Sequence, residues 1–320
     1  MQVNYIIRSL IYNCLVKTTW LTNYKLTTNP WHRVWQNSGR HFSSTVKVRM
    51  HNVKILVPFG YPYPVIARQF HSFNNPLLEL VCQCFNEKRR ALDLVDIGAG
   101  IGDTVLLLNA NCPQMVRQFI CIEGDETFFT YLQTNLKIFD NSILIKALLS
   151  SEDGFDKVLV HTHGGTAMAL GCQVVRSYSL DSIMHPMNIK NLDIIKIDVD
   201  GFDGRVLSGA RKILRAYHPE IIFEWHPILY RKAGNDWITP FRVLCEEGYK
   251  NFIWFTKYGE FSHFMTEVDV NVIKLFAEYC FAEGNNSDWH FDVVALHESS
   301  SLSPITMAEL RLAKKRLSKY

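Results

Sequence analysis

The stretch Val95-Asp96-Ile97-Gly98-Ala99-Gly100-Ile101-Gly102-Asp103-Thr104 carries three alternating glycines between an apolar, strand-like run and a helical pattern. Glycine in such a turn lets the backbone reverse tightly and lets a ligand approach the main chain with no Cβ in the way. The helix that follows offers unpaired N–H donors at its start. Glu123 ends the next apolar run, about twenty residues beyond Gly102, where a carboxylate can accept hydrogen bonds from ribose hydroxyls. Strand, glycine turn, helix, strand and terminal acid together describe a nucleoside site.

The spacing separates two kinds of nucleoside. A dinucleotide fingerprint runs G-x-G-x-x-G, whereas this chain has G-x-G-x-G followed by Asp103. An aspartate facing a pyrophosphate is repulsive. A cofactor with no phosphate, bearing an amino acid and a sulfonium, tolerates acids. Asp96 and Asp103 therefore favour S-adenosylmethionine over NAD. An NAD-dependent oxidoreductase and a non-catalytic module on the same scaffold are the rival readings.

A second group of reactive side chains gathers further on. Asp198 and Asp200 end one apolar run, and Glu224 and His226 end the next. In open α/β sheets ligands lie beyond the carboxyl ends of the strands, so these groups should converge on the same cleft. If the acceptor is an alcohol, a carboxylate or imidazole must take its proton. Asp198, Glu224 and His226 are the candidates. Asp198 is equally able to cap the next helix or bind an ammonium, and Glu224 to pair with Lys196 or a backbone N–H. Asp198, Asp200 and Asp203 also permit a divalent-metal reading, but Asp203 sits where a helix would begin and suits its N-terminal charge. No metal is assigned. His161 and His163, beside Gly164 and Gly165, read as a loop over the substrate.

The elements that must position these residues are legible as a rhythm. Strand patterns at 92–97, 119–123, 143–149, 194–198 and 220–224 alternate with helical ones at 103–108, 126–136 and 204–216. This order predicts a parallel sheet covered on both faces. A helix is expected over 76–89 and a strand-containing insertion over 152–181. Beyond it, helices at 239–247 and 270–281 flank a strand at 252–255, and a late strand follows at 291–296. An entry hairpin is expected over 46–58. Before it come an amphipathic helix over 3–26, able to rest on a membrane surface, and a linker over 29–44. A basic tail helix is expected over 304–319, with Ser303 as its N-cap. The boundaries are an accessory segment at 1–75, a catalytic domain at 76–300 and a tail at 301–320.

Composition sets the outer limits. The chain has 320 residues, 48% hydrophobic and 20% charged, with a formal net charge of +3. That is ordinary for a globular protein and too weakly basic to point to nucleic acid. Eight scattered cysteines match no zinc spacing. They read as reduced thiols of a cytoplasmic protein.

Several segments carry a family resemblance. Asp96 through Thr104 resembles motif I of class I methyltransferases. Ser179-Leu180-Asp181-Ser182-Ile183, Asp193-Ile194-Ile195-Lys196-Ile197-Asp198-Val199-Asp200-Gly201-Phe202-Asp203 and Pro219-Glu220-Ile221-Ile222-Phe223-Glu224 resemble elements of the FkbM family. The chain departs from the commonest family form at Asp200, where glutamate is frequent, and at Asp203. The resemblance implies a Rossmann-like class I fold with seven strands ordered 3-2-1-4-5-7-6, strand seven antiparallel. It also implies S-adenosylmethionine-dependent O-methylation of a sugar, glycan or natural product. On that basis Gly98, Ala99, Gly100, Gly102, Asp103 and Thr104 form the turn that holds the methionine part, and Asp96 orients it and attracts the ammonium. Glu123 holds the ribose with Gly124 passing close by, and Ala147 and Leu148 line the adenine pocket.

Overall fold

The computed structural model describes residues 9–10, 12–13, 45–51, 53–70, 72–157, 160–163, 166–168, 174–282 and 289–305. The linker over 29–44, most of the helix over 3–26 and all but the first residues of the tail helix lie outside the described residues.

The described chain opens with an antiparallel hairpin, β1 (Thr45–Met50) and β2 (Val53–Pro58), then helices α1 (Tyr63–Gln69) and α2 (Asn75–Lys88). Strand–helix alternation follows with β3 (Leu92–Ile97), α3 (Asp103–Asn111), β4 (Val116–Glu123), α4 (Glu126–Leu136) and β5 (Ser142–Lys146). An insertion holds β6 (Leu148–Leu149), β7 (Gly154–Lys157), β8 (Val160–His163), β9 (Thr166–Met168), β10 (Val174–Tyr178) and α5 (Leu180–Met184). The alternation resumes with β11 (Ile194–Ile197), α6 (Asp203–Ser208), α7 (Arg211–Tyr217), β12 (Glu220–Trp225), α8 (Pro227–Ala233) and α9 (Thr239–Glu246). The last elements are β13 (Tyr249–Thr256), β14 (Phe261–Met265), α10 (Val270–Ala282) and β15 (Phe291–His297).

The main sheet runs β5-β4-β3-β11-β12-β15-β13-β14. Its first seven members follow the order the resemblance implies, with β15 antiparallel to both neighbours. The count of seven needs correcting to eight. Gly259, at φ +74°, lets the chain reverse after β13, and β14 adds an antiparallel edge strand. Its half-exposed side chains gave no apolar run to read.

Successive side chains of the central strands face opposite ways, and both faces are dry. Leu92, Leu94, Phe119, Cys121 and Ile194 enter one apolar cluster, shared with the hairpin and α2 to α4. Val95, Ile97, Ile120, Ile122, Ile195 and Ile197 enter the other, shared with α5 to α10. This is the period-two pattern of a sheet buried on both sides. The burial fixes register, and so fixes where each strand ends.

Other departures have local causes. The expected third strand divides, because Leu148 and Leu149 leave the main sheet and Leu148 and Leu149 pair with Ser177 and Tyr178 of β10. The expected helix over 204–216 breaks at Gly209, where a Cβ would lie 2.3 Å from the Ser150 carbonyl oxygen. His161 and His163 belong to strand β8 of the β8–β9 hairpin, not to a loop. No helix among the described residues is long and apolar enough to cross a membrane.

Candidate functional site

The glycine turn leaves the carboxyl end of β3 and runs directly against the end of β11. A Cβ on Gly98, whose φ is +77°, would lie 1.9 Å from the Asp198 carbonyl oxygen. Only glycine permits that approach. The turn's own donors are largely engaged. Gly98 and Ala99 N–H both donate to the Ile122 carbonyl (3.0 and 3.1 Å), and Gly102 N–H to that of Ala99 (2.9 Å). Gly100 N–H donates to Glu123 Oε2 at 2.8 Å, while Asp125 N–H donates to Glu123 Oε1 at 2.7 Å. A pyrophosphate cradle relies on unspent N–H groups, and four of these are committed. Glu123 is left as an acceptor with spare lone pairs.

A cleft opens above this turn. Its wall includes Gly98, Gly100, Asp103, Glu123, Gly124, Ala147, Leu148 and Asp198, all expected from the sequence. Four carboxylates line it (Asp103, Glu123, Asp198 and Asp200) against a single ammonium, that of Lys196. Lys196 Nζ lies 3.3 Å from Asp96 and 3.4 Å from Asp198. Burial opposes its charge, but the carboxylates of Asp96, Asp198 and Asp103 prevail and hold it well above the ordinary lysine range. Burial pushes Glu123 up to about 7 despite the two backbone donors. It pushes Asp103 up to about 6, with Lys196 opposing. An acid-lined, partly apolar cleft of this kind receives a cation more readily than an anion. Its residues fit a sulfonium and an ammonium beside an adenosyl group.

The remaining expected residues build the cleft without lining it. Asp96 is fully buried beneath it and acts through Lys196. Ala99 and Thr104 are buried, and Gly102 packs on Leu132 and Leu136 of α4. The sequence reading missed Tyr61 and Phe128. Tyr61 arrives from the turn after β2, donates to Asp103 Oδ1 at 3.3 Å and meets the Phe128 ring edge-on. Phe128 is placed by Asp125, whose side chain accepts its N–H at 2.9 Å to cap α4. Lys196 had a signal, being a cation inside an otherwise apolar buried strand. Tyr61 had none, because its partner lies 42 residues away.

The three base candidates divide. Asp198 lines the cleft, whereas Glu224 and His226 do not. They form a second group beyond it, at the ends of β12 and β15. Glu224 lies 3.2 Å from His290 Nε2, and the His226 and His290 rings stack at 5.0 Å. Glu224 also stands directly across the strand pair from Asp292. Burial, then the charges of Asp198, Asp200, Asp203 and Asp292, raise Glu224 well above the usual carboxylate range. Asp292 is pushed up to about 7, by burial and then by Asp198. Asp198 thus lines the cleft and also adds to the negative charge felt by Glu224 and Asp292. Asp203, fully buried at the start of α6, stands apart from the cleft wall that holds Asp198 and Asp200. Among the described residues no three His, Cys, Asp or Glu side chains are arranged to hold a metal ion.

Residues 96–267, more than half of the chain, match the model of the methyltransferase FkbM domain. No curated protein matches the chain in sequence. Among solved structures it is similar to the methyltransferase FkbM from Methylobacillus flagellatus KT, with 14% identity and a TM-score of 0.41 over 64% of this chain. It spans 43% of that protein's length. The METTL16 MTase domain shares 11% identity at a TM-score of 0.42, over 86% of this chain and 82% of the other. M. jannaschii TYW2 in complex with AdoMet shares 14% at 0.35, over 79% and 86%.

Proposed function

The chain belongs to the FkbM methyltransferase family, and from that premise we propose that it moves the methyl group of S-adenosylmethionine to a hydroxyl oxygen of a small-molecule, sugar or glycan acceptor. The observation that carries the cofactor assignment is the cleft's electrostatics. Committed N–H groups and a surplus of carboxylates suit a cationic ligand and oppose a pyrophosphate. This disfavours the oxidoreductase reading.

When bound, the cofactor supplies an electrophilic methyl on a sulfonium, and the protein's part is chiefly positioning. Glu123 accepts from the ribose hydroxyls through lone pairs its two backbone donors leave open. Gly98 and Gly100 line the cleft with main chain. Asp103 and Asp198 face its ammonium, with Asp96 and Lys196 fixing where their charge lies. Ala147, Leu148 and Phe128 give the adenine an apolar wall.

A hydroxyl acceptor would have to give up its proton, so the protein needs a base within reach of it. The Glu224–His290 pair supports the O-methyl reading, because it sets an imidazole next to a carboxylate that feels the charge of Asp198, a wall residue of the cleft. In this reading Glu224 orients the ring and His290 is the proton acceptor. His226 packs against that ring and steadies it.

Incubation with methyl-labelled S-adenosylmethionine and a cell extract tests the reading. The expected product carries label in a methyl ether, stable to mild alkali. Label found only in base-labile esters or on nitrogen would contradict oxygen transfer to a hydroxyl.

A further inference from the structure

We infer that the hairpin segment ending at Tyr61 is a working part of the cofactor site, with Tyr61 contacting the cofactor and Tyr12 positioning Tyr61. The inference rests on the S-adenosylmethionine reading. It concerns residues that reading does not use.

Tyr61 belongs to none of the strand–helix units that make the nucleoside fold. Its phenol nevertheless lines the cleft and donates to Asp103, and a Cβ on Gly100 would lie only 3.3 Å from its oxygen. Two ties hold it there, and a third braces the hairpin. Asn135 of α4, itself buried, pairs with both backbone groups of Leu56 in β2 (2.8 and 2.9 Å), and its amide also donates to the Ile101 carbonyl at 3.0 Å. One side chain thus binds the hairpin to the glycine turn. Tyr12, fully buried, donates its hydroxyl to the Tyr61 carbonyl at 2.7 Å and packs edge-on against Phe59. Asn13 donates to the Lys47 carbonyl of β1 at 2.9 Å. A hairpin serving only to cover the apolar face would not need a phenol in the cleft. The end of the cofactor held by the glycine turn thereby meets an aromatic wall and a hydroxyl from outside the sheet.

Asp103 is the group through which Tyr61 acts on charge, and Asp96, Asp198, Lys196, Glu123 and Tyr63 share that neighbourhood. Removing the phenolic donor makes the Asp103 carboxylate harder to ionise.

The test uses the full chain. Calorimetric titration with S-adenosylmethionine across pH 5–8 is run on the wild type, Tyr61→Phe and Tyr12→Phe. Losing a donor to a charged acceptor should weaken binding by about threefold to tenfold in Tyr61→Phe, and by less in Tyr12→Phe. The pH at which binding is half lost should move upward in Tyr61→Phe, a change that a packing role alone would not give. Hydrogen exchange on the wild type supplies a readout independent of any variant. The cofactor should slow exchange of backbone amides in residues 53–61. Unaltered affinity and pH dependence in Tyr61→Phe, or no protection of 53–61, overturns the inference. A wild-type chain that does not bind S-adenosylmethionine overturns the parent reading instead.

Discussion

The two halves of the sheet solve opposite electrostatic problems at their carboxyl ends. Beyond β3 and β4, the Glu123 carboxylate is met by two backbone N–H groups, and the glycine turn commits its donors within itself. Where β12 ends and antiparallel β15 begins, Glu224 and Asp292 face each other across the strand pair, Asp198 adds to the charge on Glu224, and His290 Nε2 lies 3.2 Å from Glu224. Like charges directly opposite in a sheet are destabilising. On the proposed function, the first region holds the ligand and the second holds or passes a proton. Changes in the first should alter cofactor affinity, and changes in the second turnover.

The most damaging change falls in the first region. Gly98→Ala forces a Cβ into the Asp198 carbonyl at a positive φ. It should abolish cofactor binding and cost more than about 3 kcal/mol of stability. Gly154→Ala, with nothing within 4 Å of the new methyl, should stay within about 0.5 kcal/mol by thermal or denaturant unfolding. Similar losses from the two variants would show that the turn is not the tight junction described.

In the second region, Glu224→Gln and His290→Ala should each lower kcat by about 10²- to 10⁴-fold with the affinity for S-adenosylmethionine retained. A matching loss in cofactor affinity would merge the two regions. Glu123→Gln should do the converse, weakening cofactor binding by about ten- to a hundredfold.

A further effect falls on the pH dependence of the free protein. Burial pushes Glu123 up to about 7, so the folded chain keeps a proton that the unfolded chain has already lost. Stability from this group is therefore present at low pH and lost as pH rises from the ordinary glutamate value towards 7. Glu123→Gln should flatten that slope, by roughly 3 kcal/mol at most between pH 5 and 8. Unfolding curves for the two proteins across that range check it.

The same contrast explains what was legible in the sequence. Gly98, Gly100 and Glu123 announce themselves locally, since each follows an apolar run whose length sets where the strand ends. The order of the first seven strands is what the family resemblance implies. Contacts made by distant segments left no such trace. Tyr61 meets Asp103 only because Asn135 clamps the hairpin to the glycine turn, and His290 meets Glu224 only because β15 inserts antiparallel beside β12. Strand β14 escaped because an edge strand need not be apolar on either face. Asp96 holds a motif position that suggests the ligand, and β3 buries it with Lys196 Nζ 3.3 Å away.

Calorimetric titration of the full chain with S-adenosylmethionine, and in parallel with NAD, tests the nature of the cleft most directly. One site for S-adenosylmethionine, weakened as pH falls below about 7 because the cleft carboxylates take up protons, and no heat with NAD, is the predicted result. Equal binding of NAD, or none of S-adenosylmethionine, would contradict a cleft made for a sulfonium.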